Sequence, residues 1–255
     1  MKRAGTDSDR EQKLAGGAQT AGVVRVGATV RRPLHARSDY VHGLLGHLEQ
    51  VGFAGAPRFL GIDGQGREIL TYFEGEVLVG SPVRMSDERI ISASRLIQRF
   101  HNATAGTALA QGQEIVAHND LGPHNIVFDG DKAVGIIDWD DGVAPGRRLV
   151  DFAHAVWCCA DICEGGVEVA EQARKARLMC ETYGQFTLAA VTDEITARFH
   201  RARADHARHG RDQGAAIFAE MVHWMEAHGS ALKADPLPES PTRQTLTAAD
   251  RRQHS

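Results

Sequence analysis

Residues 118–125 read HNDLGPHN, and residues 136–140 read IIDWD. The flanking segments are apolar and β-branched. The pattern is therefore strand, polar loop, strand, short turn, and a third strand ending in an acid. Residues 125–128, the turn Asp129-Gly130-Asp131 and residues 133–137 read as a hairpin. A hairpin there returns Asp138 to the end from which Asn125 departs. Asp120 lies five residues before Asn125, so two carboxylates and one amide converge at one edge.

Those residue types have a shared chemistry. Asp120 follows the apolar run Ile115-Val116-Ala117 and precedes Pro123, which presents its carboxylate from a rigid turn. It is the candidate catalytic base, accepting or orienting a substrate hydroxyl. Asn125 and Asp138 offer hard oxygen donors suited to Mg²⁺ bridging nucleotide phosphates. Together they form the core of a site that moves a phosphoryl group from ATP or GTP to a hydroxyl. A competing reading makes His118, Asp120, His124, Asp138 and Asp140 a binuclear hydrolase site, since imidazole and carboxylate both ligate transition metals.

The 255-residue chain can bury a sizeable core as one domain or two lobes. A net charge of −4 argues against a nucleic-acid partner, and no apolar run is long enough to span a membrane. A cytoplasmic location is expected. Cys158, Cys159, Cys163 and Cys180 read as reduced residues on buried helix, because three of them fall within six positions.

Along the chain, residues 1–13 and 235–255 read as polar, disordered tails. Residues 23–26 and 29–32 flank Gly27-Ala28 as a hairpin, and residues 58–61 and 68–73 flank a second turn. Residues 39–51 read as a helix with Val41, Leu44, Leu45 and Leu48 on one face. Ser86 is a candidate N-cap for a helix carrying Ile90, Ala93, Ile97 and Phe100. Three or four helices follow from residue 150, broken near Gly165-Gly166, Gly184 and Gly210. The expected fold is α+β: a small β-rich N-terminal lobe over 14–75 and a larger helical lobe over 76–234.

Residues 118–128 with Ile137-Asp138-Trp139-Asp140, and the later PGRRLVDFA at 145–153, resemble the aminoglycoside phosphotransferase and choline kinase family, which shares the protein-kinase-like fold. The resemblance implies a Mg²⁺-dependent small-molecule O-phosphotransferase, with Asp120 catalytic and Asn125 and Asp138 as metal ligands. It makes His118 a structural member of the loop and Asp151 its brace.

The resemblance also implies a cation from the third strand on the nucleotide phosphates. There is no Lys between Leu14 and Gly75, so an Arg must serve. Aligning Val30 with the Ala of a Val-Ala-Ile-Lys strand puts Arg32 at the Lys, and Arg32 is preferred to Arg31. The family's acidic partner falls near Val41 or His42, neither of them acidic; Asp39 or Glu49 could substitute. Those gaps sustain a third reading, a catalytically silent nucleotide-binding module. Gly16 and Gly17 are the candidate phosphate-covering loop. Residues 71–74, with Thr71 and Phe73, resemble the hinge that holds the nucleobase. The acceptor, a small molecule such as an aminoglycoside or amino alcohol, would meet Asp140, Asp141, Trp157, Asp161 and Glu164. The choice between ATP and GTP, and the oligomeric state, stay open at this point.

Overall fold

The computed structural model describes residues 11–13 and 22–234. Its N-terminal part is an antiparallel sheet of five strands: β1 (Gln12–Lys13), β2 (Val24–Val26), β3 (Thr29–Pro33), β4 (Phe59–Ile62) and β5 (Arg67–Thr71). Their order across the sheet is β1-β2-β3-β5-β4. Both expected hairpins form, with β2 paired to β3 and β4 to β5. Gln12 and Lys13 pair with β2, so the sheet takes in two residues that the sequence reading placed in the tail. The remaining tail segments, and Gly16 and Gly17, lie outside the described residues.

Helix α1 (Ser38–Gln50) buries Val41, Leu44, Leu45 and Leu48, as its periodicity requires. Each such side chain contributes about 1.5–3 kcal/mol when removed from water. Helix α2 (Asp87–Thr104) starts at Ser86, whose hydroxyl accepts from the Arg89 N–H at 3.3 Å. Its buried face carries Ile90, Ala93, Ile97 and Phe100. These two faces belong to one hydrophobic cluster, so the sheet part and the helical part share a core.

The rest of the helical part is α3 (Arg148–Cys159), α4 (Val169–Tyr183), α5 (Leu188–Arg208) and α6 (Asp212–Lys233). Four short strands sit against it. β6 (Ile115–Ala117) pairs with β9 (Ala144–Gly146), and β7 (Ile126–Asp129) forms the expected hairpin with β8 (Lys132–Ile136). All four cysteines are free thiols.

The crossing between the two parts is tight. Glu76 and Phe128 exchange backbone hydrogen bonds of 2.9 and 2.8 Å. Gly75 sits at φ +140, and a Cβ there would lie 2.4 Å from the Phe128 carbonyl oxygen. Only glycine permits that approach.

Candidate active site

The polar loop leaves β6 at Ala117, and its path is set by a carboxylate from α3. Asp151 is fully buried. Its Oδ2 accepts the His118 N–H at 2.9 Å and its Oδ1 the Asn119 N–H at 2.7 Å. His101 Nε2 lies 3.1 Å from Oδ2, and the other ring nitrogen meets the Tyr183 hydroxyl at 2.7 Å. Burial pushes the Asp151 carboxyl up, but the His101 contact, nearby His118 and the backbone N–H outweigh it and hold it below its ordinary value. His118 Nε2 bonds the Ile137 carbonyl at 2.9 Å and packs edge-on against Trp139. His118 is therefore a structural tie.

Asp120 stands half exposed beyond this brace. Asn125 Nδ2 donates to Asp120 Oδ2 at 2.9 Å and to the Asp120 backbone carbonyl at 2.9 Å. His124 Nε2 lies 3.3 Å from Oδ2 and His154 Nε2 3.2 Å from Oδ1. His124, then His154, hold the Asp120 carboxyl well below the usual carboxylate range, and Asp120 in turn raises His124. Asp120 is thus ionised and a weak base.

Asp138 completes the group. The Ile137 N–H donates to the Asn125 carbonyl at 2.9 Å, which keeps Asp138 beside Asn125. Asp138 adopts φ +63 ahead of Trp139, which is fully buried with Nε1 donating to the Ile136 carbonyl at 2.7 Å. Burial and the nearby Asp140 push the Asp138 carboxyl up, with Arg32 opposing. The Asn125 amide has its nitrogen on Asp120, leaving its oxygen as a donor toward a cation. Asn125 and Asp138 therefore fit Mg²⁺: they supply hard oxygen atoms where like charges crowd and a divalent ion would relieve them. Among the described residues, no group of three or more His, Cys, Asp or Glu is arranged to hold a metal. His118, one of the ligands that the hydrolase reading requires, has its Nε2 on the Ile137 carbonyl.

Arg32 reaches this site from β3. Its side chain is buried, with Nε 2.5 Å from Glu68 Oε1, Nη1 3.5 Å from Asp138 Oδ1, and Nη2 on the Trp139 carbonyl. Arg31 turns the other way, toward Thr29 and Asp63. The acidic partner is thus neither Asp39 nor Glu49. Asp39 is exposed, and Glu49 lies 3.7 Å from Arg58. Glu68 sits directly across from Arg32 in the β3–β5 register, and α1 contributes His42, whose Nε2 is 2.7 Å from Glu68 Oε2. The reading of the sequence missed Glu68 because it recognised the two hairpins and not the strand pairing that joins them.

In the segment expected to be the hinge, the Thr71 N–H donates to the Arg58 carbonyl at 3.0 Å and its hydroxyl accepts from the Arg58 N–H at 2.9 Å. Thr71 is therefore committed to the sheet. The Phe73 ring covers Gly135, where a Cβ would lie 2.7 Å from it.

The acidic acceptor wall is not assembled as expected. Asp161 is buried and holds the N–H groups of Val83 and Arg84 at 2.7 and 3.1 Å and the Lys175 ammonium at 3.1 Å. Asp141 meets His35 Nδ1 at 2.7 Å and the Arg37 N–H at 3.0 Å, facing the N-terminal part. Asp140 closes its own turn on the Gly142 N–H at 2.8 Å. Trp157 packs on Phe199.

A small sheet over a larger helical part is the fold that solved relatives share. The description "Phosphotransferase enzyme family" matches residues 25–191. The chain belongs to that family. A curated family relative, the trifolitoxin immunity protein of Rhizobium leguminosarum bv. trifolii, is 34% identical over 194 residues, covering 67% of this chain and 73% of the relative. Among solved structures, the GDP and kanamycin complex of APH(2")-IIia superposes with a TM-score of 0.58 at 14% identity, covering 88% of this chain and 95% of the other. A choline/ethanolamine kinase family protein from Mesorhizobium loti gives 0.60 at 13%, covering 88% and 92%. These likenesses establish the kinase-like two-part fold of this family member. Among the described residues no helix is long and apolar enough to cross a membrane.

Two substitutions test the scaffold. Asp151→Ala should cost about 3–5 kcal/mol in denaturant unfolding at pH 7, because it strips a buried imidazole and two N–H groups of their acceptor. A depressed carboxyl stabilises above its unfolded value near 3.9, and that stability is lost as pH falls through the lower folded value. The gap between variant and native protein should therefore narrow below about pH 4, and equal midpoints at pH 7 would contradict the brace. Glu68→Ala should cost about 3–5 kcal/mol by leaving Arg32 buried without its partner, whereas Glu49→Ala should stay within about 1 kcal/mol. Equal effects in urea titrations would contradict the assignment of Glu68.

Proposed function

We propose that this family member is a Mg²⁺-dependent phosphotransferase that moves the γ-phosphoryl group of ATP or GTP to a hydroxyl of a small molecule, such as an aminoglycoside or amino alcohol. The observation that carries the reading is that Asn125 Nδ2 bonds Asp120 Oδ2, the Ile137 N–H on the Asn125 carbonyl brings Asp138 alongside, and Arg32 Nη1 lies 3.5 Å from Asp138 Oδ1. Solved neighbours bear on both ends of the reaction: one is a complex with GDP and kanamycin, another with ADP and spectinomycin. The curated relative is named for immunity to a toxin, which directs the acceptor search toward growth-inhibiting compounds that carry a hydroxyl.

In this mechanism Asp120 accepts a hydrogen bond from the acceptor hydroxyl and aims its oxygen at the γ-phosphorus. Its depressed basicity suits a loose transition state, in which positioning matters more than early proton removal. The proton passes to Asp120 as the new P–O bond forms and the bond to the β-phosphate oxygen breaks. Arg32 supplies positive charge beside the phosphates, held in place by Glu68 and His42. Asn125 and Asp138 would hold Mg²⁺, which when bound neutralises phosphate charge. Phe73 and the backbone after it would face the nucleobase, and Gly16 and Gly17 would cover the phosphates. The silent-module reading rested on a missing ion pair, and the Arg32–Glu68 pair answers that gap.

Asp120→Asn should lower kcat by about 10²–10⁴ against ATP or GTP with a panel of aminoglycosides and amino alcohols, with its melting temperature near that of the native protein. Undiminished turnover in a folded Asp120→Asn protein would refute the assignment.

A further inference from the structure

One face of α3 does more than brace the loop. Asp151 and His154 are three residues apart and Cys158 four further on, so all three point toward the loop. His154 is buried, and its Nε2 lies 3.2 Å from Asp120 Oδ1, the carboxylate oxygen that neither Asn125 nor His124 contacts. Its Nδ1 is buried with no hydrogen-bond partner among the described residues. Cys158 Sγ is 3.7 Å from the same Nε2.

From this geometry we infer that His154 is a positioning residue for the Asp120 carboxylate, acting as a neutral Nε2–H donor that fixes Oδ1 and leaves Oδ2 under His124 and Asn125. The inference rests on the proposed phosphotransfer and adds a residue to it. The tautomer follows from the partners. A carboxylate at hydrogen-bond distance requires a proton on Nε2, and an unpartnered, buried Nδ1 is tolerable as a lone pair but costly as an N–H. The groups facing the ring are Asp120 from the loop, Cys158 and Asp151 from α3, and Arg198 from α5. Burial keeps His154 below its ordinary value, and burial pushes the Cys158 thiol up to about 12, so the thiol stays neutral and leaves Asp120 as the stronger acceptor. His154 therefore orients Asp120 without adding charge, whereas His124, in the half-exposed loop, is the group whose protonation Asp120 favours. His154 touches no reacting atom. Its effect is on the aim of the carboxylate, where a displacement of about 1 Å can cost on the order of 100-fold in rate.

The test has two arms. Long-range ¹⁵N–¹H spectra of the full chain should show His154 as the neutral Nε2–H tautomer at about pH 7 to 8, above the ordinary imidazole value near 6.5. In steady-state assays, His154→Leu should lower kcat about 10- to 100-fold with the nucleotide KM within about twofold, and His154→Gln, which returns a neutral N–H near the same place, should recover most of the loss. A merely structural role would lower the melting temperature of both variants without this split. An Nδ1–H or charged imidazole, or a folded His154→Leu protein with native kcat, overturns the inference. If native protein shows no Asp120-dependent turnover, the proposed function fails, and the tautomer alone decides whether His154 donates to Asp120.

Discussion

The hydrogen bonds that the Asp151 carboxylate accepts from the backbone N–H groups of His118 and Asn119 connect the helical core to the polar loop. A buried carboxylate is tolerated only when its lone pairs are satisfied, and here two N–H groups and an imidazole do so. The loop inherits the rigidity of α3. Asn119 can then adopt φ +66, with its side chain on the Gly142 carbonyl, and Asp120 is held out into solvent. From the other side, His118 on Ile137 and Trp139 in the core hold the segment bearing Asp138. Asp120, Asn125 and Asp138 therefore rest on one connected set of buried contacts.

Arg32 finds its acidic partner on a neighbouring strand instead of on a helix. A guanidinium suits this: it is always charged and presents several donors in a fixed plane, so it meets Glu68, Asp138 and the Trp139 carbonyl together. Helix α1 still takes part, through His42 on Glu68, with its ring stacked on Phe59.

Much of this was legible from local patterns. Strand alternation, turn residues and the offsets among Asp120, Asn125 and Asp138 placed the hairpins and the loop, since each depends on neighbours in the chain. Glu68 was not legible, because only the β3–β5 pairing puts it opposite Arg32, and nothing local announces that pairing. His154 reads in sequence as an ordinary helix residue; its three-residue spacing from Asp151 was the available signal, and it becomes meaningful once Asp151 is known to face the loop. Asp161 was misplaced in the acceptor wall because it neighbours Trp157 in sequence. It is instead withdrawn to anchor residues 83–84 and Lys175. The acidic acceptor wall expected from the resemblance is therefore weaker than the sequence reading made it.

The central claim is that Asn125 and Asp138 together hold the metal that accompanies the nucleotide, while Asp120 stands apart from it as the base. Electron paramagnetic resonance of Mn²⁺, used as a stand-in for Mg²⁺ and titrated into the protein with ADP or GDP, tests this most directly. The account predicts nucleotide-dependent Mn²⁺ binding that is lost in Asp138→Ala, strongly weakened in Asn125→Ala, and retained in Asp120→Asn. Binding undiminished in Asp138→Ala, or lost only in Asp120→Asn, would contradict it.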